Sequence, residues 1–256
     1  MAPGMQPGSM KTPGRPPAGD PVAATGSFRL VLMRHGQSEW NARNLFTGWA
    51  DPDLTATGKQ QAVRAGQMLA EQGLLPHVAH ASLQRRAIRS ADLALAACGR
   101  SWIPLRGSWR LNGRHYGALQ GRDKDEIRRE YGEEQVLSWR RSFDAAPPPC
   151  AAGSSVPGTA QYPQLRPEDE PRSESLRDVT ARLLPYWHYA VVPDLRTGAC
   201  VLIVSHRNTL RALIKYLDEI GDNEIAALNI PNAIPLLYCL GSDMRPLVPG
   251  GSNLAD

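Results

Sequence analysis

A chain of 256 residues with 42% hydrophobic and 21% charged side chains can bury a substantial core and is too apolar for wholesale disorder. Its formal charge of +4 comes without basic runs or a recognition motif, so nothing points to nucleic acid as a partner. No stretch approaches the roughly 18 consecutive apolar residues of a spanning helix and no apolar run could serve as a signal sequence, so the expectation is a cytoplasmic protein with no membrane partner.

The first 27 residues hold 6 prolines and 5 glycines and read as a disordered arm, leaving residues 28–256 as one globular domain. Residues 28–33 form a short apolar run that stops at Arg34-His35-Gly36, the profile of a buried parallel strand delivering polar groups at its carboxyl end. Thr55 to Gln72 places Ala62, Ala65, Met68 and Leu69 at helical spacing, with Thr55 as cap and Gly73 as stop. A strand is expected over 77–81, a helix over 83–98 and one continuous amphipathic helix over 125–143. Between residues 145 and 172, Pro147-Pro148-Pro149 and further prolines mark a long surface loop. Helical pattern resumes at 176–189 with Pro185 as a candidate kink; 201–204 is the clearest buried strand and ends at Ser205-His206. A helix over 208–219 and a strand over 234–240 complete an alternation that predicts an α/β fold: a three-layer sandwich with a mainly parallel central sheet. Cys98, Cys150, Cys200 and Cys239 are too widely spaced for a metal or redox pair and read as reduced thiols.

A strand end carrying Arg-His suits phosphoryl transfer. A neutral imidazole nitrogen can attack phosphorus while the adjacent guanidinium holds phosphate oxygens and disfavours imidazolium. His35 is therefore the candidate nucleophile. An RHG tripeptide alone is weak, because a buried hydrogen-bonded histidine is the commoner reading.

The surrounding blocks are more specific. LVLMRHGQSEWNARNLFTGWADPD (30–53), SLQRRAI (82–88), LNGRHYGALQG (111–121), YGEEQVLSWRRSF (131–143), SHRNTLRALIKYL (205–217) and LNIPNAIP (228–235) resemble, in order and spacing, the 2,3-bisphosphoglycerate-dependent phosphoglycerate mutases of the histidine phosphatase superfamily. The resemblance implies a glycolytic isomerase that interconverts 2- and 3-phosphoglycerate through phospho-His35, primed by 2,3-bisphosphoglycerate, with no metal, acting on small phosphorylated sugar acids and associating as a homo-oligomer. It makes Arg34, Arg86 and His206 the pocket around the phosphoryl group with Asn41 beside it. It places Thr47, Gly48, Arg114, Tyr116, Lys124, Arg140, Arg141 and Asn208 on or next to the substrate's carboxylate and phosphates. The remainder of the strand-end block, Gly36, Gln37, Ser38, Glu39 and Trp40, together with His115 and Arg207, is assigned to the same binding region.

Two positions depart from the pattern. Gly113 stands where the family has the glutamate that protonates the leaving oxygen, and Arg207 where the family has glycine after the second histidine, with a strained turn as one expected consequence. The segment after Pro246 is also shorter than the tail many relatives fold over the site, which implies a wetter pocket. These departures motivate two rival readings: a phosphomonoester phosphatase of low activity, and a degenerate paralogue that binds phosphoglycerates without turnover. Glu39, Asp123, Asp125 and Glu126 are the carboxylates near the site in sequence, and none is assigned as a replacement acid.

Overall fold

The computed structural model describes residues 27–151, 162, 165–166 and 169–255. The expected arm over residues 1–27 therefore lies outside the described residues except for Ser27, as does the middle of the Pro-rich segment.

Six strands form one sheet in the order β3-β2-β4-β1-β5-β6. β1 (Phe28–Arg34), β2 (Val78–Ala81), β3 (Leu105–Gly107) and β4 (Val201–Ser205) are parallel, whereas β5 (Leu236–Leu240) and β6 (Ser252–Asn253) continue the sheet antiparallel. The sheet is thus mainly parallel and mixed at one edge. Period-two alternation divides its side chains between two cores. Leu30, Leu32, Val201 and Ile203 enter one core, Val31, Met33, Leu202 and Val204 the other. This two-sided burial explains why the central strands read as unbroken apolar runs.

Helices cover both faces. α1 (Glu39–Ala42) is a single turn capped by Ser38, and α2 (Ala56–Glu71) begins at Thr55, whose hydroxyl accepts the Gly58 N–H. α2 and α3 (Arg85–Ala97) pack Ala65, Leu69, Ala87, Ala91 and Ala94 on one face. α6 (Leu176–Tyr186) and α8 (Arg207–Leu217) pack Val179, Leu183, Leu210 and Leu213 on the other.

Three of the expected segments differ, and the two short edge strands, β3 and β6, were not expected. Residues 125–143 form two helices, α4 (Lys124–Tyr131) and α5 (Glu133–Arg141), because Gly132 adopts φ +82°, a left-handed value that breaks the helix. Helix α6 does not run straight to residue 189. Pro185 removes a backbone donor, and the chain widens into a π turn over residues 187–191 before α7 (Val192–Arg196). The last long strand starts at Leu236 rather than 234, after Pro235. Among the described residues no helix is long and apolar enough to cross a membrane.

Candidate active site

β1 and β4 are adjacent and in register, Arg34 opposite Ser205, so the residues that follow them arrive side by side. His35 and His206 stand with ring centroids 4.9 Å apart and are both buried. This is the carboxyl-end position where open α/β sheets place their ligands.

His35 Nδ1 lies 2.7 Å from the Gly36 carbonyl oxygen. A carbonyl can only accept, so the proton sits on Nδ1 and Nε2 keeps its lone pair. Burial, then the charges of Arg86 and Arg34, hold the imidazole well below its ordinary pKa and therefore neutral. The backbone of this turn is fixed by His35 N–H on Ser205 O, Asn232 Nδ2 on His35 O and Gly36 N–H on Ser90 Oγ. His206 precedes the first turn of α8, and its Nε2 shares a 2.7 Å hydrogen bond with Ser82 Oγ. Burial and then Arg86 push its pKa down as well.

Arg86 is buried in the first turn of α3 and donates from Nη1 to Ala50 O at 2.8 Å and from Nη2 to Gly48 O at 2.9 Å, leaving Nε without a partner. Arg34 donates to Ile230 O, also with Nε unpartnered. Arg114 is 1% exposed, its guanidinium lies 4.6 Å from the Tyr116 ring centroid, and its nitrogens make no hydrogen bond of good geometry, the Tyr116 side chain being the neighbour they influence. Buried donors left unsatisfied are costly, so this set is built for an anion. Mutual repulsion carries the same message: Arg34 is pushed down to about 9 by burial and by Arg207, and Lys124 to about 8 by burial and by Arg140. For Tyr116, burial raises the pKa, but Arg114, Arg140 and the Asn208 amide donating to its hydroxyl outweigh it, bringing it to about 7.

One pocket gathers Arg34, His35, Asn41, Thr47, Gly48, Arg86, Gly113, Arg114, Tyr116, Lys124, Arg140, His206, Arg207 and Asn208, with Leu45 and Phe46 on its wall. The structure places the remaining sequence candidates behind or beside it. Gly36 packs its backbone on Gly58, Gln37 Oε1 accepts from Thr55 Oγ1, Ser38 caps α1, and Glu39 is exposed on that helix. Trp40 packs by Gly121, and buried His115 sits under the Trp49 ring and accepts the Gly117 N–H. Arg141 donates to Leu228 O next to Arg207. Arg207 is helical and free of left-handed strain; its Nη2 reaches Asn229 Oδ1 at 2.7 Å while the side chain borders the pocket. The strained turn expected at this position is absent because residue 207 opens α8.

Sequence reasoning missed the braces. Arg182 pairs with Glu174 inside the protein, and its Nη2 also donates to Asn112 O and Gly113 O, while Glu174 accepts the His115 N–H. Gln84 ties Gly48 O to the Gly113 N–H. Arg211 holds the Asn208 side chain and the carbonyls that end α5. A polar residue on the buried face of a helical pattern was the signal available for Arg182 and Arg211.

A neutral imidazole with a bare nitrogen, enclosed by guanidinium groups at the end of a parallel sheet, defines a phosphoryl-transfer centre of the phosphohistidine type. The chain belongs to the histidine phosphatase superfamily (branch 1), whose family model matches residues 30–162 and 151–236. It is 55% identical over 233 residues to the 2,3-bisphosphoglycerate-dependent phosphoglycerate mutase of Streptomyces avermitilis, covering 90% of this chain and 92% of that one. It is 56% identical to the enzyme of the same name from Mycobacterium tuberculosis, covering 91% and 93%. Among solved structures, a mycobacterial glucosyl-3-phosphoglycerate phosphatase superposes with a TM-score of 0.67 at 27% identity, over 85% of this chain and 95% of that one.

Proposed function

We propose that this chain is a phosphoglycerate mutase that interconverts 2- and 3-phosphoglycerate through phospho-His35, charged by 2,3-bisphosphoglycerate. The observation that carries this reading is the bare Nε2 of a neutral His35 in a pocket lined, among the described residues, by five arginines, one lysine and no carboxyl group. The mutases named above, at 55 and 56% identity, favour phosphoglycerates as the substrate class.

His35 Nε2 attacks phosphorus in line. Arg34, Arg86 and His206, with Asn41, hold the equatorial oxygens over which charge spreads, and the N–H groups opening α8 add donors that need no reorganisation. Arg114, Lys124 and Arg140, with Tyr116, Asn208, Thr47 and Gly48, receive the carboxylate and the phosphate that does not react. The unpartnered nitrogens of Arg114 fit a polyanion such as the bisphosphorylated primer. The Nδ1–H bond to Gly36 O persists in the phosphorylated ring and supports its positive charge.

A second reading is supported by Gly113. A pocket wall with glycine there offers no carboxyl proton to a departing alkoxide, which slows ester cleavage in both directions and leaves phospho-His35 exposed to water, the outcome of a slow phosphatase. The test is mutase turnover of the purified chain with and without 2,3-bisphosphoglycerate, alongside acid-labile phosphate on His35. Turnover dependent on the primer is expected, and absence of label on His35 under conditions that label a mutase relative overturns the proposal.

A further inference from the structure

We infer that His35 is charged preferentially by phosphoryl donors whose leaving group departs as a stable anion, acyl phosphates foremost, rather than by alkyl phosphate esters. This rests on the phosphohistidine reading above and adds to it the class of donor.

The first ground is the composition of the pocket wall. Among the described residues no carboxyl group lines it. The acids nearby are engaged elsewhere: Asp123 accepts two N–H groups at the start of α4, Asp125 takes Asn44 Nδ2 and Arg128, and Glu174 is buried against Arg182 on the far side of Gly113. Both histidines are held neutral with depressed pKa values, so neither is a reservoir of protons near neutral pH.

The second ground is the position of Gly113. A Cβ built there would lie 3.1 Å from Gly48 O, 3.3 Å from Gln84 Oε1 and 3.3 Å from His206 Cγ. A side chain at this residue would therefore leave the backbone beside the second histidine, at the edge of the phosphoryl position, and hydrogen stands there instead. The cations remain. Arg114 and Arg140 stabilise a leaving group that is already an anion but are too basic to protonate an alkoxide, and Tyr116 and Lys124, lowered to about 7 and about 8, are the pocket's remaining proton carriers, which the variants below test.

The step balances without a proton donor. The Nε2 lone pair forms the N–P bond, the P–O bond to the acyl oxygen breaks, and its electron pair leaves on the carboxylate. The Nδ1 proton stays on the ring. A carboxylate has a conjugate acid of pKa about 4 and a phenolate about 10, both far less basic than an alkoxide. General-acid help worth about 10²- to 10⁴-fold for an alkyl ester is therefore nearly irrelevant to an acyl phosphate.

The experiment is single-turnover charging of His35 in the full chain, with saturating rate constants for acetyl phosphate, 4-carboxyphenyl phosphate and 3-phosphoglycerate. The wild-type acetyl phosphate rate is expected to exceed the 3-phosphoglycerate rate by at least about 100-fold, with the aryl ester between them. Gly113→Glu is expected to narrow that ratio by at least about tenfold by raising the ester rate. If 3-phosphoglycerate charges wild-type His35 within about tenfold of acetyl phosphate, the inference fails and the phosphohistidine reading stands. If no donor charges His35, both fail. Selective loss of ester charging in Tyr116→Phe or Lys124→Met also overturns the inference, by identifying that side chain as the proton donor. The wild-type ratio decides the matter even if Gly113→Glu does not fold.

Discussion

His35 depends on two glycines that do no chemistry. A Cβ at Gly36 would fall 2.2 Å from Gly58 O, and one at Gly58 would fall 2.0 Å from Gln37 O, so the turn after β1 and the first turn of α2 touch backbone to backbone. Both obstacles are main chain and cannot rotate away. Gly36→Ala is expected to cost about 3 kcal/mol of stability, read by chemical denaturation, and to lower phosphoryl labelling of His35 by shifting the turn that orients its ring. His35→Asn, which keeps a polar tip on a smaller side chain but has no ring nitrogen to attack phosphorus, is expected to abolish acid-labile labelling without loss of stability comparable to that of Gly36→Ala. The tripeptide Arg34-His35-Gly36 was legible as chemistry because charge and nucleophile are properties of single residues. The packing role of Gly36 was not, since it exists only in relation to a glycine on another element.

At the scale of elements, the loop 112–116 carries Arg114 and Tyr116 into the pocket and has little regular structure to stiffen it. Arg182 on α6 replaces that regularity by donating to the carbonyls of Arg110, Asn112 and Gly113 while paired with Glu174. Arg182→Met would strand the buried Glu174 carboxylate and release these carbonyls. A loss of about 3 to 5 kcal/mol is expected on denaturation, and the double variant with Glu174→Gln should recover part of it, because the stranded charge is then removed. The same pair of variants should weaken anion binding, through the loop. Helix α6 was readable from periodicity, yet nothing in the pattern tells that one arginine on it faces inward. The division of residues 125–143 was hidden for a related reason: the apolar period continues across Gly132, and only the backbone angle reveals the break.

At the scale of the whole molecule, 170 residues of chain lie between the two histidines, and their meeting depends on β1 and β4 being neighbours. The four longer strands were readable from apolar runs, whereas the short edge strands β3 and β6 and the order of strands were not, because pairing is set by how the chain crosses the two faces. That closure buries more imidazole than the pocket uses. His115 is lowered to about 4 by burial, against an opposing pull from Glu174, and His80 between Tyr186 and Asp194 is also lowered by burial. The unfolded chain takes up these protons near pH 6.5 while the folded chain refuses them, so stability is retained above pH 6.5 and lost as pH falls from there towards about 4. Unfolding free energy measured by urea titration should fall by at least about 2 kcal/mol between pH 7 and pH 4.5, and His115→Gln should reduce that fall.

The charge gathered at the sheet end gives the opposite limit on the alkaline side. In the pocket without an anion, Lys124 loses its proton near pH 8 and Tyr116 near pH 7. Deprotonation of the first removes a cation and of the second creates an anion facing the ligand, and both changes disfavour a bound dianion. By linkage, a bound dianion must raise both pKa values, so affinity is greatest below pH 7 and declines through the interval from 7 to 9. Sulfate is the useful probe because its own charge is constant over this range. Its dissociation constant by calorimetry is expected to rise at least about tenfold from pH 6.5 to pH 9, a change that one pKa unit of linkage suffices to produce. Tyr116→Phe should flatten the lower part of that curve and Lys124→Arg the upper part. A dissociation constant independent of pH would mean that neither group faces the anion, and that the cationic wall is made of its arginines alone.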